Sequence, residues 1–206
     1  MFRKRRSSAR GWRAGMLAAV AATAAVAACD DSTGPASGDA GVAFDLDGVS
    51  FAALGDLVID IEGRPAPDAD WAVAADPDSV GGVVVTAFRV SETAGVGDLF
   101  VLQLQPADTG TFSPCGPNEA CRGRLFRGWR TDLTGYDEWY EITSGTVDVE
   151  ALGPRRVRGT FRFELRSEGG SGSAVLSIED GSFDVPIDDR VGGIVCGLPP
   201  STACLQ

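Results

Sequence analysis

The residues of this chain best suited to covalent chemistry are its five cysteines, Cys29, Cys115, Cys121, Cys196 and Cys204. The chain has no histidine, so a Ser-His-Asp triad, a Cys-His pair and an imidazole-held zinc or iron site are excluded. Without imidazole, a thiol can accept a covalent group, pair with another thiol or bind a metal. The spacings C-x5-C at 115–121 and C-x7-C at 196–204 do not suit a zinc ribbon. Two carboxylates alone can hydrolyse a glycoside, but no pair among the 29 acids is singled out. The clusters D-L-D-G (45–48), P-D-A-D (67–70) and D-P-D-S (76–79) carry the oxygen ligands of calcium loops. None completes the pattern D-x-[DN]-x-[DN]-G, and Asp and Pro are ordinary turn residues. The glycines sit in hairpin turns and form no phosphate loop. The expectation is therefore no metal, no cofactor and no catalytic residue.

The aromatic stretch W-R-T-D-L-T-G-Y-D-E-W-Y, residues 129–140, holds Trp129, Tyr136, Trp139 and Tyr140. Exposed on a β rim, these rings could stack on sugar faces, with Arg127, Arg130, Asp132, Asp137 and Glu138 as hydrogen-bonding partners. The competing expectation is that some rings cap the core and others pack on the neighbouring cysteine loop.

The N-terminus has a different composition from the rest. Residues 1–15 carry Arg3, Lys4, Arg5, Arg6, Arg10 and Arg13 and no acid, and residues 16–28, MLAAVAATAAVAA, carry no charge. A basic stretch followed by a short apolar one has the layout of a secretory signal peptide. It is too short for a transmembrane helix, which needs about 20 apolar residues. The closing tetrad Val26-Ala27-Ala28-Cys29 resembles the lipobox of bacterial lipoproteins. That resemblance implies cleavage before Cys29, diacylation of its thiol and acylation of the new amino terminus. Two or three acyl chains anchor a protein stably where one does not. The expected partner is thus a lipid bilayer, reached through acylated Cys29. Asp30 resembles the inner-membrane retention signal of enterobacterial lipoproteins. Localisation in the cell or outer membrane, facing the periplasm or the surface, follows from the same resemblance.

With Cys29 acylated, Cys115, Cys121, Cys196 and Cys204 remain, and an even number in an exported chain reads as two disulfides. Three connectivities are possible. Proximity and flanking Gly and Pro residues favour Cys115–Cys121 and Cys196–Cys204. Of the 18 basic residues, six lie in 1–28, which leaves 12 against 29 acids and a formal charge of −17. Such a surface argues against nucleic acid as a partner and leaves an envelope glycan or protein as the possible one.

These residues need a scaffold, and the chain supplies an all-β one. Residues 30–41, DDSTGPASGDAG, read as a flexible tether. The expected organisation is a leader at 1–28, a tether at 29–42 and one antiparallel β domain, sandwich or barrel, at 43–206. Segments rich in Val, Ile, Phe and Thr, bounded by Gly, Pro and Asp, predict strands near 43–53, 57–63, 71–75, 82–91, 98–105, 110–113, 122–129, 138–150, 155–168 and 173–187. The last is expected to break at Asp180-Gly181. In DLFVLQLQ, Phe100, Leu102 and Leu104 are predicted to face the core, and Leu99, Val101 and Gln103 to face away. In VRGTFRFELRS, Val157, Gly159, Phe161, Phe163 and Leu165 share one face, opposite Arg156, Arg158, Thr160, Arg162, Glu164 and Arg166. Val147, Val149 and Ala151 are predicted inward, with Asp148 and Glu150 outward near Arg156 and Arg158. The arginine stripe reads as a solvated face balanced by acids.

The pieces Tyr140, S-G-T-V-D-V (144–149), R-V-R-G-T-F-R-F (156–163) and D-G-S-F-D-V-P (180–186), with T-G-T-F at 109–112, resemble a DUF6252-like group of bacterial lipoproteins. The chain departs from that group at 115–121 and 190–206. The resemblance implies an all-β sandwich or barrel and a cell-envelope address, and it brings no activity with it. The expectation is a non-catalytic binding or structural module, with a carbohydrate-binding module as the alternative and a small carboxylate hydrolase as a third reading.

Overall fold

The computed structural model describes residues 41–57, 68–75, 82–93, 95–132, 134–167 and 174–188. They form ten strands: β1 (Gly41–Leu46), β2 (Val49–Leu54), β3 (Trp71–Ala75), β4 (Val83–Val90), β5 (Val96–Leu104), β6 (Gly110–Phe112), β7 (Cys121–Arg130), β8 (Glu138–Leu152), β9 (Arg156–Ser167) and β10 (Val175–Asp188). There is no helix among the described residues.

The strands close into a barrel. β3, β4, β5, β7 and β8 pair in that order, β8 pairs with β9, β9 with β10, and β10 returns to β3. Two long strands make the closure work because each serves different neighbours along its length. β8 pairs with β7 through 138–141 and with β6 through 147–149, and β9 lies along its other side. β10 pairs with β9 on one side; on the other it pairs with β1, then at Ile187 and Asp188 runs parallel to Ala74 and Ala75 of β3. The β1–β2 hairpin and β6 extend the sheet beyond the ring.

The interior follows from the period of two. β9 alternates without a fault, with Val157, Gly159, Phe161, Phe163 and Leu165 buried and the residues between them exposed. The inward rings pack on one another, Phe100 and Phe161 from strands that are not neighbours and the other pairs from adjacent positions. Phe100 stacks on Phe161 at 5.4 Å, Phe44 on Phe51 at 4.3 Å and Phe161 on Phe163 at 5.1 Å. Gly159 is the small member of its row. A side chain there would press on the Asp148 carbonyl and come within 2.6 Å of Phe183 Cζ.

Several sequence expectations are corrected. The predicted strand 43–53 is a hairpin, turned by Asp47 (φ 51°) and Gly48 (φ 80°). Successive positive φ values match the right-handed twist of the flanking strands. The turn is held by Gly48 N–H donating to Asp45 Oδ1, and Asp47 Oδ1 accepts from Ser177 N–H at 2.9 Å. β1 begins at Gly41, inside the predicted tether. β10 does not break at Asp180-Gly181. It continues through a bulge, with Asp180 at φ 49° taking up the extra residue. Ala151 is exposed rather than inward, because a bulge between Val149 and Ala151 changes the facing of β8. The segment predicted at 57–63 lies outside the described residues from 58 onward, as do the leader, residues 29–40 and the cluster at 76–79.

Candidate functional site

Where β3, β4, β5 and β7 lie side by side, the barrel wall is apolar on both sides. The strands read W-A-V-A-A and V-V-V-T-A-F, continuous runs typical of strands covered on both faces. The inward set belongs to the main core. The outward set forms a second cluster of Trp71, Val73, Ala75, Val84, Phe88, Leu99, Val101, Phe126 and Trp129. Leu99, Val101 and Gln103 face away from the interior as predicted, but all three are buried.

The register lays this outer face out in three rows. Trp71, Phe88, Leu99, Phe126 and Trp139 stand opposite one another across β3, β4, β5, β7 and β8. Val73, Thr86, Val101, Arg124 and Glu141 form the second row. Ala75, Val84, Gln103 and Arg122 form the third. The face thus grades from aromatic, through aliphatic, to a polar margin on β7. On that margin Arg122 Nε donates to Gln103 Oε1 at 3.0 Å, and Arg124 bonds Glu141 Oε1 at 3.0 Å.

The four aromatic residues singled out in the sequence do not form one exposed platform. Trp129 is 1% exposed, in edge contact with Phe88 at 5.4 Å within the outer cluster. Tyr140 is 6% exposed and belongs to the barrel interior. Only Tyr136 and Trp139 are half-buried. Tyr136 lies 5.2 Å from Phe126, and the Arg124 guanidinium sits 4.6 Å over the Trp139 ring. Each of the two rings thus has a neighbour from the same sheet.

A polar cluster closes one end of the barrel. Arg89 donates to Asp98 at 3.0 Å and to the Ser50 carbonyl at 2.7 Å, and its guanidinium lies 5.1 Å over the Phe51 ring. Arg127 approaches the same Asp98 at 3.7 Å. On β8 the Tyr140 hydroxyl donates to Glu138 Oε2 at 2.9 Å. Burial, and then the adjacent Glu138 carboxylate, raise the Tyr140 pKa above its ordinary 10.0. Asp98 is held by two guanidinium groups, so it serves as a clamp joining β4, β5 and β7.

Cys115 and Cys121 are bonded, with Cα atoms 4.5 Å apart, and both are buried in the main core. Cys29, Cys196 and Cys204 lie outside the described residues. The acids at 45–48 serve the hairpin turn, and Asp70 accepts from Val90 N–H at 2.7 Å. Among the described residues no three His, Cys, Asp or Glu side chains gather into a metal-binding group. In the arginine stripe of β9, Arg158 pairs with Glu150 of β8 at 3.1 Å as its spacing suggested, whereas Arg156 pairs with Asp184 of β10 instead of a β8 acid. Sequence reasoning placed Gln103 on this face but missed Thr86 and Arg122 as parts of it. The available signal was the unbroken apolar run of β4, which leaves no side for water. No protein-family model matches the chain, and no curated protein or solved structure is significantly similar to it.

Proposed function

We propose that this protein is a cell-envelope lipoprotein whose barrel is a non-catalytic binding or structural module, held on a bilayer through acylated Cys29. The observation that carries the non-catalytic reading is the filled interior. Phe44, Phe51, Phe100, Phe161 and Phe183 occupy the space that a ligand-carrying barrel leaves open. The polar groups at the barrel end are spent on one another. The anchor rests on the charge layout of residues 1–28 and the tetrad Val26-Ala27-Ala28-Cys29. For the alternative, a carbohydrate-binding module, Trp129 and Tyr140 are buried and Tyr136 and Trp139 are the half-buried rings that remain.

The test is metabolic labelling with a palmitate analogue in a bacterial host, followed by membrane fractionation. The native chain takes up label and sediments with membranes; a Cys29→Ser variant does neither. Membrane association that survives the substitution, or an unlabelled native chain, overturns the anchor. Turnover of a glycoside or ester substrate by the purified domain overturns the non-catalytic reading.

A further inference from the structure

The β1–β2 hairpin is fastened to the barrel more firmly along one side than along the other. On the β1 side Gly41, Val42, Ala43, Asp45 and Leu46 pair with β10. Asp47 adds two bonds there, its N–H to the Ser177 carbonyl and its Oδ1 from the Ser177 N–H. β1 takes the same edge of β10 that β3 takes further along, at Ile187 and Asp188. The hairpin therefore fills the wedge where β10 draws away from β3. On the β2 side no ladder joins it to β3 or β4 among the described residues. Gly55, just past β2, accepts from Ala72 N–H at 2.9 Å, and the Ser50 carbonyl accepts from Arg89 Nη1 at 2.7 Å. A ladder thus holds one edge, and two separate bonds span the other.

We infer that this hairpin is a gate. It swings on the β1–β10 ladder, parts from β3 and β4 along its β2 edge, and opens the barrel interior to solvent while the rest of the ring stays folded. The closest ring contact travels with it. Phe44 and Phe51 stack at 4.3 Å with planes 6° from parallel, and both belong to the hairpin. The swing breaks looser contacts, Phe44 with Phe100 at 5.2 Å and with Phe161 at 5.8 Å. The ring keeps its own closure, since Ile187 and Asp188 remain beside Ala74 and Ala75. Arg89 is the latch. Held by Asp98 at 3.0 Å, it grips the hairpin twice, through the Ser50 carbonyl and over the Phe51 ring at 5.1 Å. Exposing the buried sides of Phe44, Phe51 and Ala53 is what opening costs, and it keeps the closed form dominant. The gate makes the filled interior reachable without unfolding the domain.

Thiol labelling of the full chain tests this. Ala53→Cys puts a thiol on the buried side of β2, and Val147→Cys, in a separate variant, puts one on β8 where it is paired with both β6 and β9. Mapping the labelled peptide separates each from the native cysteines. The thiol at position 53 should react at least about tenfold faster than the one at 147, and low urea should hardly change its rate, because a local opening exposes little surface. The rate at 147 should climb with urea, since that site waits for global unfolding. Equal rates or equal urea slopes overturn the gate. Adding Arg89→Met to the Ala53→Cys variant should raise the rate at 53 by about tenfold, and an unchanged rate overturns the latch. Should a cysteine variant fail to fold, amide exchange of the native chain decides. Ala72 N–H, released when Gly55 leaves, should exchange with little dependence on urea, and a urea dependence equal to that of the β9 amides overturns the proposal.

Discussion

Phe100 and Phe161 stack with centroids 5.4 Å apart and planes 12° from parallel, although their strands, β5 and β9, are not neighbours in the ring. The contact runs through the barrel rather than around it, and Phe161 also meets Phe44, Phe163 and Phe183. Replacing Phe161 with Ala should therefore cost about 3–5 kcal/mol, the range for emptying a buried aromatic site. Phe161→Leu should cost less. Urea unfolding of the two variants gives the difference, and equal midpoints for native and Ala forms would contradict the through-barrel role.

Asp47 contributes both its backbone and its side chain to holding the β1–β2 hairpin against β10. Its N–H donates to the Ser177 carbonyl at 3.1 Å, and its Oδ1 accepts from Ser177 N–H at 2.9 Å. It also sits at φ 51°, a conformation Asn tolerates better than Ala. Asp47→Asn should leave stability nearly unchanged, whereas Asp47→Ala should lose about 1–2 kcal/mol. A loss equal for both variants would mean that charge, rather than acceptor geometry, is what matters.

The Cys115–Cys121 bond closes a short loop, so its effect on the unfolded chain is small. The Cys115→Ala/Cys121→Ala double variant should be less stable by about 2 kcal/mol. Thermal unfolding monitored by circular dichroism measures this. A variant that no longer folds would show that the bond organises β6 and β7 as well.

Tyr140 gives the alkaline behaviour a sign. Its raised pKa means that the folded state keeps the phenolic proton longer than the unfolded chain does. The stability is complete below pH 10 and is lost as pH climbs through the folded value. A Tyr140→Phe variant, which cannot ionise, should lose less stability between pH 9 and 11 than the native protein. Denaturant midpoints across that range decide it, and parallel curves would remove Tyr140 from the account.

How much of this was legible in the sequence differs strand by strand. R-V-R-G-T-F-R-F-E-L-R-S declares its two faces because arginine and glutamate alternate with apolar residues, and the structure keeps that alternation intact. The Cys115–Cys121 pairing was legible for the same local reason, two cysteines in one turn-rich loop. The fate of Ala151 was not, since a bulge shifts facing without changing residue type. The strand from 175 to 188 was expected to break because Asp-Gly usually turns a chain, whereas pairing with β9 on both sides of Asp180 holds it as one strand. The aromatic stretch misled for a different reason. Trp and Tyr bury as readily as they bind, and only the register could place Trp129 outside the barrel and Tyr140 inside it, both covered.

The ring closes through the last described strand meeting the third, Ile187 beside Ala74. β1, at the other end of the described chain, finds its non-hairpin partner in the same strand. During synthesis, everything up to β9 can form only an open sheet, with β3 and β9 as its unsatisfied borders. No intermediate ending before residue 175 has a ring to complete. The order of synthesis therefore delays closure until nearly the whole domain exists, and a chain in that condition stays threadable until its final strand arrives.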